Sequence, residues 1–433
     1  MESTTTRSLP EWLAHIERQH PKSIDMGLER VREVARRLGL QRPARQVITV
    51  AGTNGKGSTV AFIEAIARAA GLKVGAYTSP HLRRYNERVR IDGVDADDAA
   101  LVAGFEAVEA ARLASRGDEL PMLPLTYFEY GTLCALWLFE RADLDLAVLE
   151  VGLGGRLDAT NLVEPDVAVI TTVDIDHQDY LGNDRETIGL QKAGIARAWK
   201  PLVLGDDDPP STVLGRAYAI GASALRIGCD FFFEPVDPDH WRWREVGYET
   251  VLPLPRLAAP VQLRNAAVAI AALRALDVVV PDAALAEGVA TAHVPGRLQR
   301  FTRDGLEIVV DVGHNPQAAR ELAAWLQVAP AAGRTLAVFA ALADKDVAGV
   351  VDALAPSIDG WHLAGLAEHA PRGADVAALV TRLAGTAAGE GSSHAGVAQA
   401  LDAARAEARP GDRILVFGSF HTAASALDYL AGA

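Results

Sequence analysis

Val47-Ile48-Thr49-Val50-Ala51-Gly52-Thr53-Asn54-Gly55-Lys56-Gly57-Ser58-Thr59 is the stretch on which the fold turns. A β-branched run ending at Ala51 reads as a buried strand, and an Ala-rich pattern from about Thr59 reads as a helix. Between them lies Gly52 to Ser58. Glycines there let backbone N–H groups approach phosphate oxygens, the helix N-terminus adds partial positive charge, and Lys56 adds a full one. The spacing is not that of the common Walker loop: its first glycine would fall on Val50, and Gly57 directly follows the lysine. An ordinary glycine-rich turn is the plain alternative, and the lysine and hydroxyl in register argue against it.

Outward from this loop, short apolar runs alternate with helical stretches: Val74 to Tyr77, Leu146 to Leu149, Val167 to Val173 and Leu202 to Leu204. Continuous buried runs separated by helices predict a parallel sheet covered on both faces. Cys229 to Leu254, with Phe231, Phe232, Phe233, Trp241 and Trp243, breaks the alternation and reads as an irregular β excursion. Gly205 to Pro210 (GDDDPP) reads as a solvated turn. Past Pro295-Gly296 a second α/β alternation begins, with strands expected at Ile308 to Val312, Leu336 to Phe339, Trp361 to Leu363 and Ile414 to Phe417. The expected division is therefore 1–295 and 296–433, with a smaller α/β fold in the second domain.

Composition narrows the function. The 433 residues carry 42 Lys plus Arg against 56 Asp plus Glu, a formal charge of −14, which speaks against a nucleic-acid binder. Hydrophobic residues make up 49% and charged residues 23%, so the chain is globular. Only Cys134 and Cys229 occur, which fits a reducing compartment. Met1 to Trp12 lacks the apolar core of a secretory signal, and even the run Ala266 to Leu276 is interrupted by Arg274, so no membrane span is expected. These features predict a cytoplasmic protein.

In open α/β sheets, ligands sit beyond the carboxyl ends of the strands, so those ends are read together. The second expected strand delivers Ser79 and His81. The third delivers Glu150 and then Gly152 to Asp158, and the fourth delivers Asp174, Asp176 and His177. A hydroxyl, a carboxylate and an imidazole beside a phosphate loop compose a divalent-cation site next to a nucleotide, with Mg²⁺, or Mn²⁺ given the imidazole. The second domain repeats the pattern with Asp311, His314, Lys345, Ser419 and His421, and Arg297 stands near its start. Lys345 is open to either reading, functional or a solvated charge.

With these residues in place, the chain resembles the folylpolyglutamate synthase and dihydrofolate synthase family, within the Mur-type ATP-dependent amide ligases. The resemblance rests on GTNGKGS at Gly52, SPHL at Ser79, TYFEY at Thr126, LEVGLGGRLDATN at Leu149, KAGI at Lys192, PGR at Pro295, HNP at His314 and GSFHT at Gly418, in that order. It implies a P-loop-containing Mur-ligase-type ATPase domain followed by a smaller Rossmann-like domain, with ATP and Mg²⁺ as cosubstrate and cofactor. It implies dihydropteroate, reduced folates and L-glutamate as the small-molecule partners of a monomer. By the same resemblance Asn54, Gly55, Lys56, Gly57 and Ser58 would hold phosphates, while Asn265, Arg297 and Asp311 would contact ATP. Ser79, Glu150 and His177 would ligate the metal. Thr126, Tyr127, Phe128, Glu129, Leu157, Asp158 and Ala159 would line the pterin site, and His314 and Ser419 would meet the incoming glutamate. Lys56, Lys192 and His314 are the expected catalytic residues. Gln191 before Lys192, and Gly313, depart from the family pattern.

An unmodified ammonium at Lys192 would repel a nearby divalent cation, and the resemblance implies that CO₂ has converted it to a carbamate that binds metal. The alternative is a plain lysine paired with a phosphate or with Glu186. Two rival functions stay open at this point: a cell-wall Mur ligase, and a nucleotide-dependent switch that hydrolyses ATP slowly.

Overall fold

The computed structural model describes residues 7–114, 123–257, 259–367 and 373–432; the first half of the Met1 to Trp12 stretch, 1–6, lies outside them. The chain divides into two compact units, Met1–Arg256 with Leu263–Ala292, and Leu257–Gln262 with His293–Ala433.

The first unit is built on eight strands: β1 (Gln46–Ala51), β2 (Val74–Tyr77), β3 (Val89–Ile91), β4 (Val94–Asp95), β5 (Leu146–Glu150), β6 (Val167–Ile170), β7 (Pro201–Leu204) and β8 (Ser223–Arg226). Their order is β4-β3-β2-β5-β1-β6-β7-β8, with β2 to β8 parallel where they pair and β3 and β4 antiparallel at one edge. The expected parallel strands are present, but β6 ends at Ile170 rather than Val173, releasing Thr171 to Asp174 as loop. The antiparallel edge was not expected. Its hairpin turns on Asp92 (φ 51°) and Gly93 (φ 76°), the left-handed pair that an Asp-Gly turn favours.

Helices cover both faces because β1, β5 and β6 are buried on both sides. Across one face, Val47, Tyr77 and Leu149 pack against Trp12, Phe105, Tyr130 and Phe139, and further along it Ala51, Ile170 and Leu204 pack against Leu181, Ile188 and Val213. Helix Lys56–Ala69 follows β1 and starts three residues earlier than its apolar pattern suggested, with Gly55 as its cap. Helix Asp282–Thr291 packs close upon it: a Cβ at Gly288 would lie 2.4 Å from the Ile66 Cα.

Two expectations need correction. Cys229 to Leu254 is no irregular excursion but a regular antiparallel meander of β9 (Phe231–Pro235), β10 (His240–Glu245) and β11 (Tyr248–Pro253). Alternation along β10 turns Trp241 and Trp243 inward, both fully buried, and Trp243 Nε1 donates to the Ala267 carbonyl at 3.1 Å. Nor is GDDDPP merely a solvated turn: Asp206 accepts from the Val173 N–H at 3.0 Å and from Arg185 at 3.2 Å, although Asp207 and Asp208 are exposed.

The second unit carries β12 (Gln299–Arg303), β13 (Leu306–Val310), β14 (Thr335–Phe339), β15 (Gly360–Ala364), β16 (Ser392–His394) and β17 (Arg413–Phe417), in the order β12-β13-β17-β14-β15-β16. All pairs are parallel except β12 with β13, whose hairpin again turns on Asp-Gly, Asp304 (φ 52°) and Gly305 (φ 76°). Val309, Phe339, Leu363 and Phe417 pack there against Leu322, Trp325 and Val351.

Trp243 stacks on Phe231 with ring centroids 6.1 Å apart and anchors the meander on helix Val261–Arg274. Trp243→Ala is expected to cost about 3–5 kcal/mol, read as a lowered urea midpoint.

Candidate active site

The carboxyl ends of β5, β1 and β6 meet where the strand order reverses, and the Gly52 to Ser58 loop rises from the middle one. Its shape is held from the end of β6. Thr171 Oγ1 donates to the Asn54 carbonyl at 2.6 Å, the Asn54 N–H donates to Thr172 Oγ1 at 3.1 Å, and the Thr53 N–H donates to the Thr172 carbonyl at 2.8 Å. Thr53 Oγ1 bonds the Asp174 backbone at 3.0 Å on both its N–H and C=O. Gly52 (φ 155°) has no room for a side chain, since a Cβ would lie 1.8 Å from Thr171 Oγ1. At Gly55 (φ 84°) a Cβ would lie 2.6 Å from Asn265 Oδ1, so the predicted residue Asn265 does sit against the loop. Lys56 curls back, its Nζ donating to the carbonyls of Gly52 (3.0 Å) and Thr53 (3.2 Å).

Glu150, the last residue of β5, is buried and accepts the Ser79 N–H at 3.0 Å. Its two carboxylate oxygens lie 3.8 and 3.9 Å from where a Gly57 Cβ would be. Loop, carboxylate and Ser79 are thus brought together. His177 is held in the left-handed region (φ 53°), its N–H donating to Asp176 Oδ1 at 2.8 Å. Among the described residues no group of three or more His, Cys, Asp or Glu is placed to hold a metal. The predicted set contains only two residues of those kinds, Glu150 and His177, and relies for the rest on a hydroxyl and a modified lysine.

Lys192 ends helix Arg185–Lys192 and is almost wholly enclosed. Burial, reinforced by repulsion from Lys56 and opposed by Asp176, lowers its pKa to about 7. Its side-chain amine makes no hydrogen bond or ion pair among the described residues. The Glu186 pairing is not found: that carboxylate accepts the N–H groups of Ser211 (3.0 Å) and Thr212 (2.8 Å) instead.

The expected pterin residues are well placed for structure as well. Thr126 and Glu129 form a capping box on helix Tyr127–Arg141, with Thr126 N–H to Glu129 Oε2 at 2.8 Å and Glu129 N–H to Thr126 Oγ1 at 3.2 Å. Arg30 bridges Glu129 (3.0 Å) to Asp25 (2.5 Å), a link the sequence reading missed. The Phe128 ring covers Gly152, where a Cβ would meet it at 2.6 Å, and Tyr127 lies beside Tyr85 and Arg88. Asp158 is buried and closes its loop by accepting from Leu153 N–H (2.9 Å), Thr160 N–H (3.0 Å) and Thr160 Oγ1 (2.7 Å); Ala159 is buried and Leu157 half-buried. Burial raises the Asp158 pKa, and these donors oppose the rise.

In the second unit Asp311 follows β13 and accepts from Gly313 N–H (2.7 Å) and Leu298 N–H (2.9 Å). Burial raises its pKa against the pull of Arg297. Arg297 and His314 both face the Phe420 ring, at 5.7 and 6.2 Å. Ser419 is buried, with Oγ 2.7 Å from Thr422 Oγ1 and accepting the Thr422 N–H at 3.0 Å, so its hydroxyl already caps a helix. Lys345 is buried, which removes the solvated-charge reading.

The two α/β units, the phosphate loop and the buried carboxylate at the strand ends define an ATP-dependent ligase of the Mur type. Family models agree: the Mur ligase middle domain matches 104–234 and the Mur ligase glutamate ligase domain matches 296–420. A dihydrofolate synthase/folylpolyglutamate synthase of Escherichia coli K12 is 47% identical over 98% of this chain and 95% of its own. The structure of E. coli FolC in complex with DHPP and ADP superposes with a TM-score of 0.91 at 47% identity, covering 98% of both chains. A bifunctional folylpolyglutamate synthase/dihydrofolate synthase with Mn, AMPPNP and L-glutamate bound gives a TM-score of 0.89 at 42% identity, again covering 98% of both. The chain belongs to the dihydrofolate synthase/folylpolyglutamate synthase family.

Gly52→Ala forces a Cβ into the Thr171 hydroxyl that shapes the loop. ADP affinity measured by calorimetry is expected to fall at least tenfold while far-UV circular dichroism stays that of the parent.

Proposed function

We propose that this chain ligates L-glutamate to dihydropteroate, forming dihydrofolate, and to reduced folates, forming folylpolyglutamates, with ATP converted to ADP and phosphate. The observation that carries the reading is the buried Glu150 carboxylate set against the Gly52 to Ser58 loop beside Lys56. A carboxylate does not react with an amine at neutral pH, so the substrate carboxylate first takes a phosphoryl group and becomes an acyl phosphate. Lys56 and the N–H groups of Gly55 to Ser58 balance the charge on the phosphate oxygens, with Asn54 holding the loop that presents them. The glutamate amine then attacks the acyl carbon and phosphate leaves. In 1–295, Asn265 lies against the nucleotide loop, and Thr126 to Glu129 with Leu157 to Ala159 receive the pterin. In 296–433, Arg297 and Asp311 serve the nucleotide, and His314 and Ser419 the incoming glutamate. The enzyme works as a cytoplasmic monomer; no helix among the described residues is long and apolar enough to cross a membrane.

Hard oxygen donors around a phosphate loop suit Mg²⁺, which when bound supplies positive charge to the transferring phosphoryl group. Glu150, Ser79 and His177 would hold it, joined by Lys192. An enclosed amine without a partner and with a pKa of about 7 is a good nucleophile for CO₂. The nitrogen bonds the carbon, a proton leaves, and an N6-carboxylysine with metal-binding oxygens results.

The decisive assay offers ATP, Mg²⁺ and glutamate with dihydropteroate and then with a reduced folate, and resolves the products by mass. One added glutamate on each substrate, with ADP and no AMP, is expected; a product from folate alone would mark a monofunctional polyglutamate synthase. Lys56→Ala is expected to lower turnover by about 100-fold or more with an unchanged melting temperature.

Lys192→Ala is expected to lose ligase activity and to recover part of it with added short carboxylic acids. Because only the neutral amine captures CO₂, wild-type activity without added bicarbonate should fall as pH drops below about 7.

A further inference from the structure

Strands β15 and β16 close one edge of the second unit's sheet, paired in parallel with His362 opposite Ser392 and Ala364 opposite His394. Alternation puts Ser392 and His394 on one face of β16, and the diagonal to His362 completes a cluster there. Its polar atoms converge. Ser392 Oγ lies 2.9 Å from both His362 Nδ1 and His394 Nε2, and the two ring nitrogens are 3.3 Å apart. The rings stack at 28° with centroids 5.5 Å apart. His362 is buried, while His394 is half-buried and Ser392 exposed, so the cluster opens to solvent on one side.

The separation of the nitrogens is informative. Nitrogen–acceptor hydrogen bonds centre near about 2.9–3.0 Å, so this contact is long. Two nitrogens each about 2.0–2.1 Å from a tetrahedral Zn²⁺ stand about 3.3–3.4 Å apart. The surroundings fit as well. A metal-bound histidine commonly gives its other ring N–H to a carboxylate, and Glu407 Oε2 lies 3.4 Å from His362 Nε2, an enclosed nitrogen that makes no hydrogen bond. Glu407 is itself held by Arg334 at 3.0 Å. Burial lowers the pKa of both imidazoles, which leaves their lone pairs available at neutral pH.

We propose that His362 Nδ1 and His394 Nε2 clamp one zinc-like divalent transition-metal ion, with the Ser392 hydroxyl and water completing its coordination. Two imidazoles favour Zn²⁺, Co²⁺, Ni²⁺ or Cu²⁺ over Mg²⁺, so the site is chemically separate from the oxygen-rich one beside the phosphate loop. With two protein nitrogens it binds more weakly than a structural zinc centre. Its effect is to staple a three-residue edge strand to its neighbour.

Co²⁺ titrated into the full-length protein, with Mg²⁺ in excess to fill the oxygen-rich site, reads the geometry directly. An intense visible band of tetrahedral Co²⁺, bleached by Zn²⁺, is expected. His394→Ala should abolish the band and weaken Zn²⁺ binding in calorimetry at least tenfold, with ligase turnover in Mg²⁺ unchanged. His362→Ala should behave alike, and if that buried change prevents folding, the half-exposed His394 decides alone. A wild type without the band, or a His394→Ala protein that binds Zn²⁺ as the wild type does, overturns the proposal and leaves a serine-bridged histidine pair.

Discussion

The carbonyl of Asn54 receives the Thr171 hydroxyl at 2.6 Å, and the site in the first unit depends on that bond. It fixes a glycine-rich loop from outside, using a residue at the end of the neighbouring strand. Thr171 and Thr172 hold it from the neighbouring strand end, and the loop's own Thr53 hydroxyl ties it to the Asp174 backbone. Glycine at 52 and 55 is then a steric requirement as well as a conformational one, because the space a Cβ would take is filled by Thr171 and Asn265. The reward is preorganisation: charge developing on a phosphate meets donors that do not have to reorganise.

Strain and desolvation are concentrated around the same point. His177 occupies a left-handed conformation next to Asp176, and Lys192 surrenders hydration beside Lys56. Each is a local cost of about 1–3 kcal/mol or more that the surrounding sheet, buried on both faces, is able to hold. Away from the loop, Asp158 and the Thr126–Glu129 pair meet their neighbours through ordinary caps and turns.

The parallel strands were legible because a strand covered on both faces must be apolar throughout, and Leu146 to Leu149 can hardly be anything else. The phosphate loop was legible because few residue types suit it. Edge strands were harder. Arg-Ile before Asp92-Gly93 and Thr-Arg before Asp304-Gly305 carry little hydrophobic signal, so the Asp-Gly turns were the remaining clue to β3–β4 and β12–β13, and they passed unread. The meander was obscured by the charges that alternate with Trp241 and Trp243; read with a period of two, the same residues give the strand. For the site, strand ends pointed to Glu150, Ser79 and Asn265's neighbours in the loop. What local pattern could not supply was partnership across distant sequence, such as Arg30 with Glu129 or Thr171 with Asn54.

The meander also shows how an exposed sheet can avoid recruiting strangers. Its two outer strands end in Pro235 and Pro253, residues with no N–H to offer an approaching chain. Arg242 pairs with Glu234 across the outward face at 3.2 Å, placing opposite charges where a flat hydrophobic surface would invite stacking. Added to a formal charge of −14, this gives a protein whose aromatic-rich β insert is shielded from self-association.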